Sequence, residues 1–218
     1  MKVSTDACIQ GAWTPIAEDV RHVLDIGTGT GLLSLMLAQR KANVLIDAIE
    51  MDKSAAGQAE QNVKASSWAE RINVLCGDVR NFTFGQQYDM VICNPPFFYN
   101  SLLGDDAERN AARHTLSLSY NDLLRVMEQV LTETGYASVI LPSTEYKAWA
   151  QLLKQNRWHM HRRLFVMPKA ETDPNRVVSV FGKSMPETLV DERLVIYAGQ
   201  NQYTLDAADL LSPFYLKL

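Results

Sequence analysis

The sequence predicts an α/β fold: a mostly parallel sheet with helices on both faces. Three observations carry that expectation. Apolar strand runs alternate with helix-period runs between residues 22 and 156, two strand-like runs then follow each other without a helix, and the first strand enters a glycine-crowded turn. The two closing strands imply an antiparallel finish to the sheet.

The elements follow in order along the chain. HVLDIG (22–27) reads as a buried strand. GLLSLMLAQR (31–40) has helical spacing and ends in a basic residue, which suits a helix C-terminus. LIDAIE (45–50) is a strand, and KSAAGQAEQNVKAS (53–66) is a helix of strong formers. INVLCGD (72–78) and YDMVICN (88–94) are strands. In SYNDLLRVMEQVLTETG (119–135), apolar residues at 123, 124, 127, 130 and 131 make one core-facing stripe, and Gly135 is expected to stop the helix. YASVILP (136–142) is a strand ended by proline, TEYKAWAQLLKQN (144–156) a helix, and WHMHRRLFVM (158–167) and RVVSVFGK (176–183) the closing strands. The tail from residue 184 contains RLVIYAG, a candidate edge strand, and is expected to pack back through its apolar FYLKL end. Residues 97–118 are the one long stretch without a clear period, and loops of that length are usually functional or disordered. The expectation is one domain over 1–218, with 1–21 an N-terminal segment and 184–218 an edge extension.

Composition limits the function classes. With 47% hydrophobic residues in 218, the chain can build one full core. There is no uninterrupted run of 18 apolar residues, so no membrane span is expected, and MKVSTDACIQ lacks the apolar run of a secretion signal. Cys8, Cys76 and Cys93 are odd in number and irregular in spacing; buried free thiols in a reducing cytoplasm are expected, with Cys76 and Cys93 in strands. Cys93 reads as core, and so do the four Trp residues, 13, 68, 149 and 158. The four His stand at 22, 114, 159 and 161 without metal-ligand spacing, so no metal is expected. Net charge is −4, yet residues 154–183 hold seven Lys/Arg against two acids. That local excess fits either a polyanion-facing surface or a solvated rim.

The glycine turn is the first chemical signal. Asp25, Gly27, Gly29 and Gly31 stand in D-I-G-T-G-T-G at the end of the first strand. Glycine lets backbone turn sharply and approach a ligand closely. A dinucleotide fingerprint needs G-x-G-x-x-G, and Leu32 breaks that pattern. Crowded glycines with an acid at the strand tip suit a ligand without pyrophosphate. Asp25 can order the turn and can face a cationic ammonium, directly or through water. Glu50 closes the second strand, where a carboxylate can accept both ribose hydroxyls. Asp78 closes the third, where it can accept from an adenine amino group. Three acids on one carboxyl edge, with the glycine turn, fit the sulfonium nucleoside S-adenosylmethionine.

D-I-G-T-G-T-G, I-E at the second strand end, G-D at the third and N-P-P-F at the fourth resemble the class I S-adenosylmethionine-dependent methyltransferases that act on exocyclic or amide nitrogens. Further matches are K-V-S-T-D (2–6), G-A-W (11–13), L-L-S-L-M-L-A-Q-R (32–40), W-A-E-R-I-N-V (68–74), A-R-H-T (112–115), D-E-R-L-V-I and F-Y-L. With these the chain is most similar to the bacterial family that methylates an adenine N6 beside the anticodon of a valine tRNA. The resemblance implies a Rossmann-like domain of seven strands in the order 3-2-1-4-5-7-6; the sequence does not fix the oligomeric state, and a monomer is favoured. Members usually carry a short extension before K-V-S-T-D, which here stands at the first residues.

In that light V-I-C-N-P-P-F-F-Y-N (91–100) has a use. An adenine amino group is a poor nucleophile because its lone pair is delocalised into the ring. The Asn94 side-chain carbonyl and the Pro95 backbone carbonyl can accept its two hydrogens and draw the nitrogen towards a tetrahedral form. Pro95 and Pro96 lack N–H donors and have fixed φ, so the turn is rigid. Phe97 can stack on the base, worth about 1–3 kcal/mol, and Phe98 and Tyr99 can extend the platform. Alignment is then most of the catalysis. Thr5 and Asp6 resemble the family's segment near the methionine end of the cofactor. Arg109, Arg113 and His114 can clamp phosphates or order the long loop, and Arg163, Lys169 and Arg176 can meet the tRNA backbone; for each alone, a surface salt bridge is the plainer reading. Other readings are N5-methylation of a release-factor glutamine, which usually goes with Tyr after the prolines and a helical substrate domain; guanine-N2 methylation of rRNA, usually by longer chains; and a non-catalytic RNA-binding protein, against which Asp25, Glu50, Asp78 and Asn94 argue.

Overall fold

The computed structural model describes residues 4–95, 118–200 and 202–217. Its centre is an eight-stranded sheet in the order β3-β2-β1-β4-β5-β7-β6-β8. The strands are β1 (His22–Ile26), β2 (Leu45–Glu50), β3 (Ile72–Cys76), β4 (Tyr88–Cys93), β5 (Leu131–Pro142), β6 (His159–Met167), β7 (Arg176–Gly182) and β8 (Val190–Val195). Pairs β2–β3, β1–β2, β1–β4 and β4–β5 are parallel, whereas β7 runs antiparallel to both β5 and β6. The parallel strands and the antiparallel finish are as the sequence implied. An eighth strand is added to the expected seven: β8 pairs in parallel with β6 and extends that edge. A short β9–β10 hairpin (Tyr197–Gly199, Gln202–Tyr203) follows it.

Six helices flank the sheet among the described residues: α1 (Thr5–Trp13), α2 (Leu32–Arg40), α3 (Lys53–Lys64), α4 (Tyr120–Val130), α5 (Ser143–Gln155) and α6 (Leu205–Leu211). Side chains alternate across a strand, and the two cores divide accordingly. Val23, Met90 and Ile92 pack with Leu33 and Leu37 of α2 and Val63 of α3. Leu24, Ile26, Val91 and Cys93 pack with Leu123 and Met127 of α4 and Trp149 and Leu153 of α5. A third cluster joins Cys8 and Ile9 of α1 to Leu164, Val178 and the tail residues Ala207 and Leu211, so the C-terminal part does fold back. All four Trp residues pack into these clusters.

Four expectations are corrected. The helix expected over 119–135 ends at Val130, because Leu131 is already extended (φ −77, ψ 143) and pairs with Tyr88. Leu131 is buried as the helical stripe required, but from a strand, and β-branched Thr132 and Thr134 favour that state. Between Tyr88↔Leu131 and Met90↔Tyr136 the register shifts, so β5 bulges, and Gly135 serves this bulge instead of stopping a helix. A Cβ there would lie 3.1 Å from the Thr132 carbonyl oxygen. The N-terminal segment contains α1, which was not anticipated, although Ser4 caps it by accepting from the Ala7 N–H at 3.2 Å. Cys76 is exposed, at the end of an edge strand, whereas Cys8 and Cys93 are buried; all three are free.

Trp149 is fully buried, with its ring 5.5 Å from those of Tyr120 and Phe181. Trp149→Ala should therefore cost about 3–5 kcal/mol in urea unfolding. A loss of under about 1 kcal/mol would mean that this ring does not hold α5 to the sheet.

Candidate active site

The carboxyl ends of β1, β2, β3 and β4 open onto one cavity of 370 Å³, within the range of about 300–1,000 Å³ common for small-ligand sites. The lining comes from each strand end in turn: Ile26, Gly27 and Gly29 after β1; Ile49, Glu50 and Met51 at β2; Gly77, Asp78, Val79 and Arg80 after β3; Cys93, Asn94 and Pro95 at β4; and Leu118. The chain order reverses between β1 and β4, and open α/β sheets place ligands at such a switch point.

The glycine turn has the backbone its sequence required. Gly27, Gly29 and Gly31 all have positive φ (68°, 59° and 85°), a region that side chains disfavour. The turn is tied to β2: the Gly27 and Thr28 N–H groups donate to the Ile49 carbonyl (2.9 and 3.1 Å), and the Gly29 N–H donates to Glu50 Oε2 at 2.9 Å. Glu50 Oε1 accepts from the Asp52 N–H at 2.9 Å. Each carboxylate oxygen keeps acceptor capacity, which two ribose hydroxyls would use.

Asp25 is fully buried beneath the turn and is not among the lining residues. Its Oδ2 accepts from Thr28 Oγ1 at 2.6 Å and from Ser34 Oγ at 2.7 Å, so it joins the turn to the first helical turn of α2. Its Oδ1 is buried without a hydrogen-bond partner, an acceptor left over for a cation or water. Burial pushes its pKa up to about 6; the Thr28 and Ser34 bonds oppose the rise, and the charge of Glu50 adds to it.

Asp78 is already engaged. Arg80 Nε donates to both of its oxygens (3.0 and 2.9 Å), Arg80 Nη2 donates to Oδ2 at 2.6 Å, and the Arg80 N–H donates to Oδ1. These bonds hold the carboxyl below its usual range, so it is an acceptor throughout the neutral range. Sequence reasoning missed Arg80 and Met51 as lining residues. The G-D-V-R string holds the pair, but nothing in its spacing says that the guanidinium turns back onto the acid.

The other sequence-derived candidates divide. Asn94 and Pro95 line the cavity, whereas Pro96, Phe97, Phe98, Tyr99, Arg109, Arg113 and His114 lie outside the described residues. Thr5 opens α1, half-buried and away from the lining set. Arg163 donates to Asp191 through Nε at 2.6 Å, and its guanidinium lies 5.3 Å from the Phe165 ring centre. Arg176 Nε donates to Asp6 Oδ2 at 2.7 Å. Both are therefore in ion pairs. Among the described residues there is no cluster of three or more His, Cys, Asp or Glu that could hold a metal, and no helix long and apolar enough to cross a membrane.

Comparison with known proteins fits this geometry. Residues 14–136 match the family described as methyltransferase small domain. The chain is 41% identical over 219 residues to a tRNA1(Val) (adenine(37)-N6)-methyltransferase of Tolumonas auensis, covering 100% of this chain and 91% of that protein. It is 37% identical over 221 residues to a protein of the same description from Bacteroides fragilis, covering 100% and 92%. In fold it is similar to the crystal structure of a protein described as a predicted O-methyltransferase from Agrobacterium tumefaciens, with a TM-score of 0.71 at 19% identity over 95% of this chain and 96% of that one.

Asp25 gives a pH prediction. Its folded pKa of about 6 lies above the unfolded value of about 3.9. Its contribution is therefore fully present below pH ~4 and is lost as pH rises through ~6, a fall of up to about 3 kcal/mol. Urea unfolding should show wild type losing stability relative to Asp25→Asn across that window, and parallel curves would mean that Asp25 is not desolvated.

Proposed function

We infer that this chain, which belongs to the family of tRNA1(Val) (adenine(37)-N6)-methyltransferases, transfers a methyl group from S-adenosylmethionine to the exocyclic N6 of adenine 37 in that tRNA. The observation that carries the reading is that Asn94 and Pro95 open onto the same cavity as the glycine turn, Glu50 and Asp78. A planar amine held by the first pair lies within reach of a methyl donor held by the second set.

The residues present suit that donor. Glu50 offers paired acceptors for ribose hydroxyls, and Asp78 a charged acceptor at the adenine end. Ile26, Ile49, Met51 and Val79 supply apolar surface for a base. Asp25 keeps the turn in shape and has one oxygen unpaired. When bound, S-adenosylmethionine supplies an electrophilic sulfonium methyl whose C–S electron pair stays on sulfur.

The work of the chain is alignment. Asn94 Oδ1 and the Pro95 carbonyl accept the two amino hydrogens, pull the nitrogen out of conjugation and aim its lone pair along the axis of displacement. As the N–C bond forms, the nitrogen becomes acidic and gives one of those hydrogens, as a proton, to water. Proline at the second acceptor leaves no N–H to compete for the base. Phe97 to Tyr99 act as the stacking platform, and Arg113, Arg163 and Arg176 as candidate backbone contacts; for the last two, RNA phosphate would exchange with Asp191 and Asp6. Free thiols and a tRNA substrate support a cytoplasmic location.

Purified protein should convert adenine 37 of unmodified valine tRNA to N6-methyladenine, detected by nucleoside mass spectrometry. Label on a release factor or on rRNA instead would overturn the assignment. Asn94→Ala should lower kcat by at least about a hundredfold while calorimetry finds cofactor affinity unchanged. Loss of both together would contradict the role given to Asn94.

A further inference from the structure

Behind Asn94 stands a buried amide that none of the roles above uses. Gln10, on α1, is fully shielded from solvent. Its Nε2 donates to the Cys93 carbonyl and to the Ser138 carbonyl, each at 3.1 Å, and lies 3.4 Å from the Ser138 hydroxyl. That hydroxyl shares a 2.8 Å hydrogen bond with Thr14 Oγ1, also buried. Ser138 sits on β5 directly opposite Ile92 of β4. One side chain therefore fastens the end of β4 and the middle of β5 to α1.

The Cys93 carbonyl matters because it belongs to the same planar peptide unit as the Asn94 N–H. Fixing that oxygen fixes the plane from which the Asn94 Cα departs. The mount is itself firm. Arg40 Nη1 donates to the Gly11 and Thr14 carbonyls at 2.6 and 2.7 Å, and Asp6 at the other end of α1 is paired with Arg176. Gly11 lets α1 lie close against α2: a Cβ there would stand 2.8 Å from Met36 Sδ. An amide is also a costly way to fill such a place. Gln10 Oε1 has no partner, an expense that an apolar side chain of similar length would avoid.

We propose that Gln10 is a positioning residue for methyl transfer: by holding the Cys93 carbonyl it sets the orientation of the Cys93–Asn94 peptide and hence the aim of the Asn94 side chain. The proposal rests on Asn94 being an acceptor for the substrate amine. Gln10 does not line the cavity, so its effect reaches the reaction through β4 and not through a cofactor contact.

Gln10→Met keeps length and burial but removes both donors. Its kcat on valine tRNA should fall about ten- to a hundredfold, with KM for tRNA and Kd for cofactor within about twofold of wild type. Hydrogen–deuterium exchange should rise at the Cys93–Asn94 segment. Ile9→Val, a packing change one residue away on α1, should alter neither. If Gln10→Met does not fold, Gln10→Asn, whose amide falls one carbon short, takes its place with the same expectations. Unchanged kcat and exchange, or a kcat loss matched by cofactor affinity or by Ile9→Val, would overturn the proposal. If wild type itself does not methylate tRNA, the assigned substrate fails, and the exchange comparison alone decides whether Gln10 holds the strand tip.

Discussion

The Gly29 N–H donating to Glu50 is the contact on which the site's geometry depends. It joins the end of β1 to the end of β2, and with the two bonds to the Ile49 carbonyl it fixes the height of the glycine turn above the sheet. Parallel pairing then carries that height sideways. β4 lies in register beside β1, with Ile26 opposite Cys93, so Asn94 emerges level with Gly27. The glycine turn and the Asn94–Pro95 turn thus stand side by side because neighbouring strands end together.

Beneath this edge the protein buries polar groups that a simple core would avoid. Asp25 and Gln10 are both fully buried, and each leaves one oxygen unpaired. An unsatisfied buried acceptor costs roughly 1–3 kcal/mol, a large share of a typical net stability of about 5–15 kcal/mol. They sit beneath the cavity edge, Asp25 under the glycine turn and Gln10 behind the Cys93–Asn94 peptide. The apolar remainder offsets them: Leu24, Val91, Met90 and Ile92 are all at or near zero exposure around the same strands.

What could be read from the sequence follows from how local each signal is. β1 to β4 and the helices between them were legible because each is a short run bounded by its own turn. The lining residues Gly27, Gly29, Glu50, Asp78, Asn94 and Pro95 were legible because strand ends in an α/β sheet share one edge. The end of α4 was misread because Leu131 serves the same core from a strand as it would from a helix. α1 was missed because Gly11 and the buried Gln10 break its apolar stripe, and what makes both tolerable lies far away in sequence, at Met36, Cys93 and Ser138. Arg80 was missed for a different reason: its partner is two residues away, in a local turn closed by the Asn81 N–H donating to the Asp78 carbonyl, and an Asp-x-Arg spacing does not by itself say that the guanidinium turns back. For Arg163 and Arg176, charge alone could not choose between RNA and Asp191 or Asp6.

The distance in sequence between α1 and its partners also bears on assembly. The helix is synthesised before its partners Cys93, Ser138 and Arg176, which come 83, 128 and 170 residues later. At bacterial synthesis rates of up to about 20 residues per second, the last of them follows after roughly 10 s. Until then Cys8 and Ile9 lack the Ile140, Leu164 and Val178 side chains that bury them, while the segment from His22 to Asp78 already contains the β1, β2 and β3 ends that line the cavity. The glycine-turn side of the cavity is thus encoded locally, whereas the burial of α1 waits for strands made much later.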